Sequence, residues 1–159
     1  MFDYKKFKLL KTQRSVNSDD DDVLHMATYA NELRVIKILI GENNYNYNRK
    51  NKFGWTPLHI ACMRKHTDII DYLLSLKNID VNVLTNDGKS PVQLSTIKDD
   101  SLSISHIMMH KKFVRSPDDV KCAMKHNKVE FDPCYQRFVK EFYETKKVSS
   151  ISTKPSNMV

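Results

Sequence analysis

Apolar residues in this chain fall in short clusters that return at a fixed distance. Leu58, Ile60 and Ala61 are followed by Ile69, Ile70, Leu73 and Leu74, and 34 positions earlier stand Leu24, Met26 and Ala27, then Val35, Ile36, Leu39 and Ile40. The same shift forward carries Leu73-Leu74 onto Ile107-Met108, in a stretch that also holds Val92, Leu94, Ser95 and Ile104. Polar punctuation keeps the same period. Asn48 pairs with Asn82, Gly54 with Gly88, and Thr56-Pro57 with Ser90-Pro91. In the middle unit's second cluster Ile69, Ile70, Leu73 and Leu74 sit at i, i+1, i+4 and i+5, one face of a helix. Each unit therefore reads as two short helices that cannot bury their apolar faces alone, and the period predicts a stack of three.

Local signals in the middle unit agree. Thr56 can cap the first helix and Pro57 suits its first turn, where a missing N–H costs nothing. Ala61 is small enough for the paired helix to approach. Lys65-His66-Thr67 turns the chain, and Asp68 is expected to cap the second helix. Asp80-Val81-Asn82 leads into an extended stretch, and Asn86-Asp87-Gly88 is a turn in which Gly88 tolerates positive φ. In the first unit, Asp19 to Asp22 can cap the helix and favour its dipole.

The run Thr56-Pro57-Leu58-His59-Ile60-Ala61 resembles the T-P-L-H-x-A signature of the ankyrin repeat family, whose unit is about 33 residues. The likeness extends from about Asp19 to Lys112. It implies an all-α helix-turn-helix solenoid with short β-turn tips, acting as a non-catalytic protein–protein interaction module. Each unit here is one residue longer, the first lacks the Thr-Pro step, and the glycine that usually links the two helices is Asn31, Lys65 and Asp99. The resemblance gives His59 a supporting role through hydrogen bonds to neighbouring loops. It implies binding through the turn tips and the inner face of the first helices. Those positions are Lys52, Phe53, Trp55, Met63 and Arg64 in the middle unit. The third contributes Asn86, Asp87, Lys89, Ile97 and Lys98, and the first Asp19, Asp21, Tyr29 and Ala30. Phe53 and Trp55 either face a partner, as large aromatics with an arginine nearby often do, or Trp55 packs on the neighbouring turn or helix. Leu74 followed after five residues by Asp80-Val81-Asn82 also resembles the ankyrin pattern hydroxylated by the oxygenase that modifies hypoxia-inducible factor. Asn82 is the candidate acceptor, and a structural role in the turn is the competing reading.

Outside residues 19–112, divided at about 19–50, 51–84 and 85–112, the pattern changes. Ser116-Pro117-Asp118-Asp119 predicts a helix over Pro117 to His126, and Asp132-Pro133 begins another, marked by Tyr135, Phe138, Val139 and Phe142. Residues 113–147 are thus expected to cap the last unit, with a partner-binding helix as the alternative. Residues 148–159 have no periodicity and are expected to be disordered. Residues 1–18 place Phe7 and Leu10 on a basic segment that reads as a cap, a membrane-surface helix or a transit peptide, Asp3 arguing against the last.

Charge changes this picture only when it is divided. The net +7 separates into +4 over residues 1–18, −2 over 19–110 and +5 over 111–159. The repeats are nearly neutral and the flanks are basic, so nucleic-acid or anionic-membrane association through the flanks is an alternative function. Another is the inhibitor or adaptor role of small viral and parasite ankyrin proteins acting on Rel/NF-κB-type factors or ubiquitin ligases. The three cysteines, Cys62, Cys122 and Cys134, fit a reducing compartment, and no apolar run is long enough to span a membrane. The expectation is an intracellular monomer, cytoplasmic or nuclear.

Chemistry finds little support. His106 and His110, like Cys122 and His126, are spaced i, i+4, but no CxxC or HExxH context accompanies them. No base can be named for any cysteine, and three glycines leave little for a phosphate-binding loop. No cofactor, metal or catalytic residue is expected.

Overall fold

The computed structural model describes residues 17–43, 45–114, 116, 118, 119 and 122. Most of the two helices expected over 117–147, the N-terminal residues 1–16 and the tail 148–159 lie outside these, as do His126 and Cys134. Asp118, Asp119 and Cys122 are helical.

Besides these three residues, the described residues form six helices and no strand. They are α1 (Val23–Tyr29), α2 (Leu33–Asn43), α3 (Pro57–Arg64), α4 (Thr67–Ser75), α5 (Pro91–Ile97) and α6 (Ser101–Met109). Each pair packs as a hairpin, α1 on α2, α3 on α4 and α5 on α6, and α3 joins α1 to α5 in an inner row. The core is the seam between inner and outer helices. Leu24, Ile36, Leu39, Leu58, Ile69, Ile70, Leu73, Ile104 and Ile107 are fully buried there. Helices this short are marginal alone in water, so their stability comes from stacking.

The inner helices begin on equivalent caps. Asp22 Oδ1 accepts from the Leu24 and His25 N–H groups at 2.9 and 3.0 Å, and the Ser90 hydroxyl accepts from the Gln93 N–H at 3.2 Å. In the middle unit the Thr56 N–H donates to His59 Nδ1 at 3.2 Å. Asp68 does not cap α4: the helix starts two residues earlier, with His66 at the N-cap and Asp68 in the first turn. The inter-helix positions take the left-handed conformation, with φ 58° at Asn31 and Lys65 and 53° at Asp99. Glycine's usual place is thus filled by residues that adopt its backbone at a cost.

Neighbouring units are laced together by bonds that recur with the period. The Asn48 side chain donates to the Asn78 carbonyl at 2.7 Å and accepts from the Asp80 N–H at 3.0 Å. Asn82 repeats this one unit on, donating to the Lys112 carbonyl and accepting from the Val114 N–H, both at 2.7 Å. Phe113 packs against the core at the register of Ile79. Buried Asp119 accepts from the Ser90 hydroxyl at 2.6 Å; burial raises its carboxyl pKa.

Candidate functional site

The turn tips are built from Asn17, Asn51 and Thr85. Asn51 Oδ1 accepts from the N–H groups of Phe53 and Trp55 at 3.0 and 2.9 Å, as Asn17 Oδ1 does from Asp19 and Asp21 at 3.0 Å. The Asn51 N–H returns to the Trp55 carbonyl and the Thr85 N–H to the Lys89 carbonyl, each at 2.9 Å. Gly54 and Gly88 close these turns at φ 77° and 71°. At Gly54 the next tip comes so close that an added Cβ would lie 2.5 Å from Asn86 Oδ1 and 2.7 Å from its backbone nitrogen.

Adjacent tips are bonded to one another. The Lys52 N–H donates to the Asp19 carbonyl and the Asn86 N–H to the Phe53 carbonyl, both at 3.0 Å. The Asn86 side-chain amide donates to the Lys52 carbonyl at 2.8 Å, and Lys52 Nζ to the Ser18 carbonyl at 3.0 Å. Lys52 also pairs with the Asp19 carboxylate at 2.5 Å and stands 4.8 Å above the Phe53 ring. Of the predicted tip residues, Lys52 and Asn86 are therefore bonding the stack together while remaining exposed. Asp21 is buried, accepting from Asn17 and Asn51, because its side chain closes the first turn. It offers no contact surface.

Phe53 is 48% exposed, whereas Trp55 is half-buried and packs against the core, its ring 6.4 Å from that of His59. Lys89 is exposed at the third tip. On the inner helices Met63 is half-buried against the core, and the Arg64 guanidinium stacks 5.4 Å from the exposed Tyr29 ring. Met26, expected in the packing face of α1, is instead 40% exposed. Its equivalent Ile60 is fully buried between α1 and α5, while Met26 has an inner helix on one side only among the described residues.

His59 belongs to the scaffold. Its Nδ1 accepts from Thr56 while Nε2 donates to the Lys89 carbonyl at 3.2 Å, a pattern satisfied by the neutral Nε2–H form. Burial pulls its pKa down to about 4. His25 reaches the Trp55 carbonyl in the same way at 3.0 Å, its Nδ1 lying 2.8 Å from Asp22 Oδ1. Burial alone would raise the Asp22 carboxyl, but the bonds from His25 and the nearby Arg49 outweigh it and hold the pKa low. The sequence missed the tip residues Asn17 and Asn51, although their spacing equals the period and would have found them.

Other candidate groups are also accounted for. Cys62 is buried and its thiol is pushed up to about 12, which leaves no thiolate for attack. His106 pairs with Asp71 across α4 and α6. Among the described residues no cluster of His, Cys, Asp or Glu can hold a metal ion, and no helix is long and apolar enough to cross a membrane.

Comparison with known proteins agrees with this geometry. A family model for ankyrin repeats, in three copies, matches residues 24–118. A BTB/POZ domain and ankyrin repeat-containing protein of Oryza sativa subsp. japonica, NPR2, is 36% identical over 92 residues, 58% of this chain and 14% of the relative. Protein phosphatase 1 regulatory subunit 27 of Homo sapiens is 37% identical over 71 residues, 45% of each chain. Ankyrin repeat domain-containing protein 40 of Homo sapiens is 34% identical over 79 residues, 49% of this chain and 21% of the relative. The chain thus spans less than half the length of each of these relatives. With its three helical hairpins, recurrent caps and laced turns, the chain belongs to the ankyrin repeat family, whose repeats generally mediate protein–protein interaction.

Proposed function

We propose that this chain is a non-catalytic, monomeric module of the cell interior that binds a partner protein on its concave face. Its contact residues are Lys52, Phe53, Trp55, Met63, Arg64, Asn86 and Lys89. The observation that carries the reading is the pairing of exposed apolar side chains with stacked cations on the inner side, Lys52 over Phe53 and Arg64 over Tyr29. Aromatic rings and arginine together are what interfaces concentrate at their energetic centres. Trp55 contributes through the edge its packing leaves open, and Met63 as an adaptable side chain. A regulatory subunit among the relatives fits a module whose work is binding.

The test is affinity capture from the native cell with the wild type and with Phe53→Ala plus Arg64→Ala, both confirmed folded by circular dichroism. Loss of the captured proteins supports the reading, and their full retention by the folded variant defeats it. Asn82 is proposed as a hydroxylation site on the sequence likeness given above. Its amide joins the end of the middle unit to residues 112–114, so the oxygenase would have to displace that segment first. Mass spectrometry after treatment with the enzyme, finding no added oxygen on Asn82, would remove the idea.

A further inference from the structure

We infer that the concave face receives one amphipathic, acid-bearing helix laid across the three units. This rests on the protein-binding reading and adds the chemistry of the occupant. Tyr29, Met63 and Ile97 hold equivalent places, one period apart, in the last turns of α1, α3 and α5. Tyr29 is 38% and Ile97 45% exposed, and Met63 lies half-buried between them, so the three form an apolar row across the stack. One position further along stand Arg64 and Lys98, both exposed and without a carboxylate partner among the described residues. In the first unit, half-exposed Asp19 is already taken by Lys52 and exposed Asp20 by Arg49. Asp87 stands at the third tip, beyond the far end of α5, and Asp99, exposed beside Lys98, is itself already engaged. The row is therefore apolar with a positive border, and carboxylates on the partner complement it.

Backbone geometry selects a helix over an extended segment. Among the described residues the inner helices satisfy their own peptide groups, and the middle tip bonds to the first and the third to the middle, so the face across the three units presents no strand edge between its tips. A helix arrives with its backbone bonds already made. The spacing also matches. Packed neighbouring helices lie about 8–10 Å apart, and residues i and i+7 of a helix are separated by about 10 Å along its axis. Apolar side chains at i, i+7 and i+14 would meet Tyr29, Met63 and Ile97 in turn, with Glu or Asp beside the second and third facing Arg64 and Lys98.

The experiment uses the full chain and a fluorescein-labelled peptide of about 20 residues, helical by design. It carries Leu at i, i+7 and i+14, Glu at the flanking positions, and Ala and Gln elsewhere. A second peptide carries Lys in place of Glu. Fluorescence anisotropy should show saturable binding of the acidic peptide and binding of the basic one weaker by at least about tenfold. Ile97→Glu should weaken the acidic peptide at least about tenfold, and Arg64→Glu with Lys98→Glu should reverse the preference. Circular dichroism confirms that each variant is folded, and Tyr29→Ala serves if Ile97→Glu is not. Equal binding of both peptides would overturn the acidic character of the occupant and leave the protein-binding reading in place. Absence of saturable binding, or binding indifferent to Ile97→Glu and Tyr29→Ala, would overturn the helix itself. A dimer in sedimentation that Ile97→Glu dissolves would assign the face to a second copy of the chain and defeat the proposal. The broader reading fails only in the capture experiment.

Discussion

His59 connects a single side chain to the stability of the stack. Held neutral between Thr56 and the Lys89 carbonyl, it resists protonation until about pH 4, whereas in the unfolded chain it takes a proton near 6.5. Between these values the unfolded state binds the extra proton. The stability contributed by His59 is therefore complete above pH 6.5 and is lost as pH falls toward 4, by up to about 3 kcal/mol. Asp22, whose carboxyl is held low, adds a loss of the same sign below the ordinary carboxylate range. Urea melts across this range should show His59→Gln with a shallower pH dependence than the wild type, and parallel slopes would contradict the account. The two turn glycines offer a contrast. Gly88→Ala meets open space and costs about 1 kcal/mol through its positive φ alone, whereas Gly54→Ala also collides with the Asn86 backbone and should cost well beyond that.

Among the elements, the helix pairs were legible in the sequence because a period of 34 and an apolar face leave few arrangements. What eluded it was the detail that depends on neighbours. Asp68 has the chemistry of a cap, yet the φ of 58° at Lys65 completes the turn early enough for α4 to begin at Thr67. Asp21 and Asp19 look alike in a run of acids, and only the fold of the tip buries one and leaves the other half-exposed. Trp55 and Phe53 lie two residues apart, and the turn directs the indole onto the core and the phenyl ring outward. Two substitutions test the helix ends. Lys65→Gly removes the left-handed penalty and should raise stability by about 1 kcal/mol. Asp68→Ala loses only a first-turn charge and should cost no more than about 0.5 kcal/mol, less than a capping residue would. Both are read from denaturant midpoints.

Across the whole molecule, stability passes only between neighbours. α3 and α4 connect the first unit to the third, so Leu73→Ala should cost about 2–5 kcal/mol and melt the stack as one unit. A separate transition for the third unit in calorimetry would show that coupling to be weaker. The same stacking produces the concave face, whose row of side chains no single unit could supply. Its contact role was implied by resemblance rather than by chemistry, since the residues that fix the fold, Thr56, Pro57, Leu58 and His59, are buried and unavailable to a partner. Capture from the native cell with Phe53→Ala plus Arg64→Ala tests the central claim most directly when set beside the convex-face variant Lys37→Ala plus Tyr72→Ala, on the outer helices α2 and α4, where Lys37 stands 5.4 Å over the Tyr72 ring. The account predicts that the concave variant loses the wild-type partners and the convex one keeps them. Partners retained by a folded concave variant, or lost only from the convex one, would contradict it.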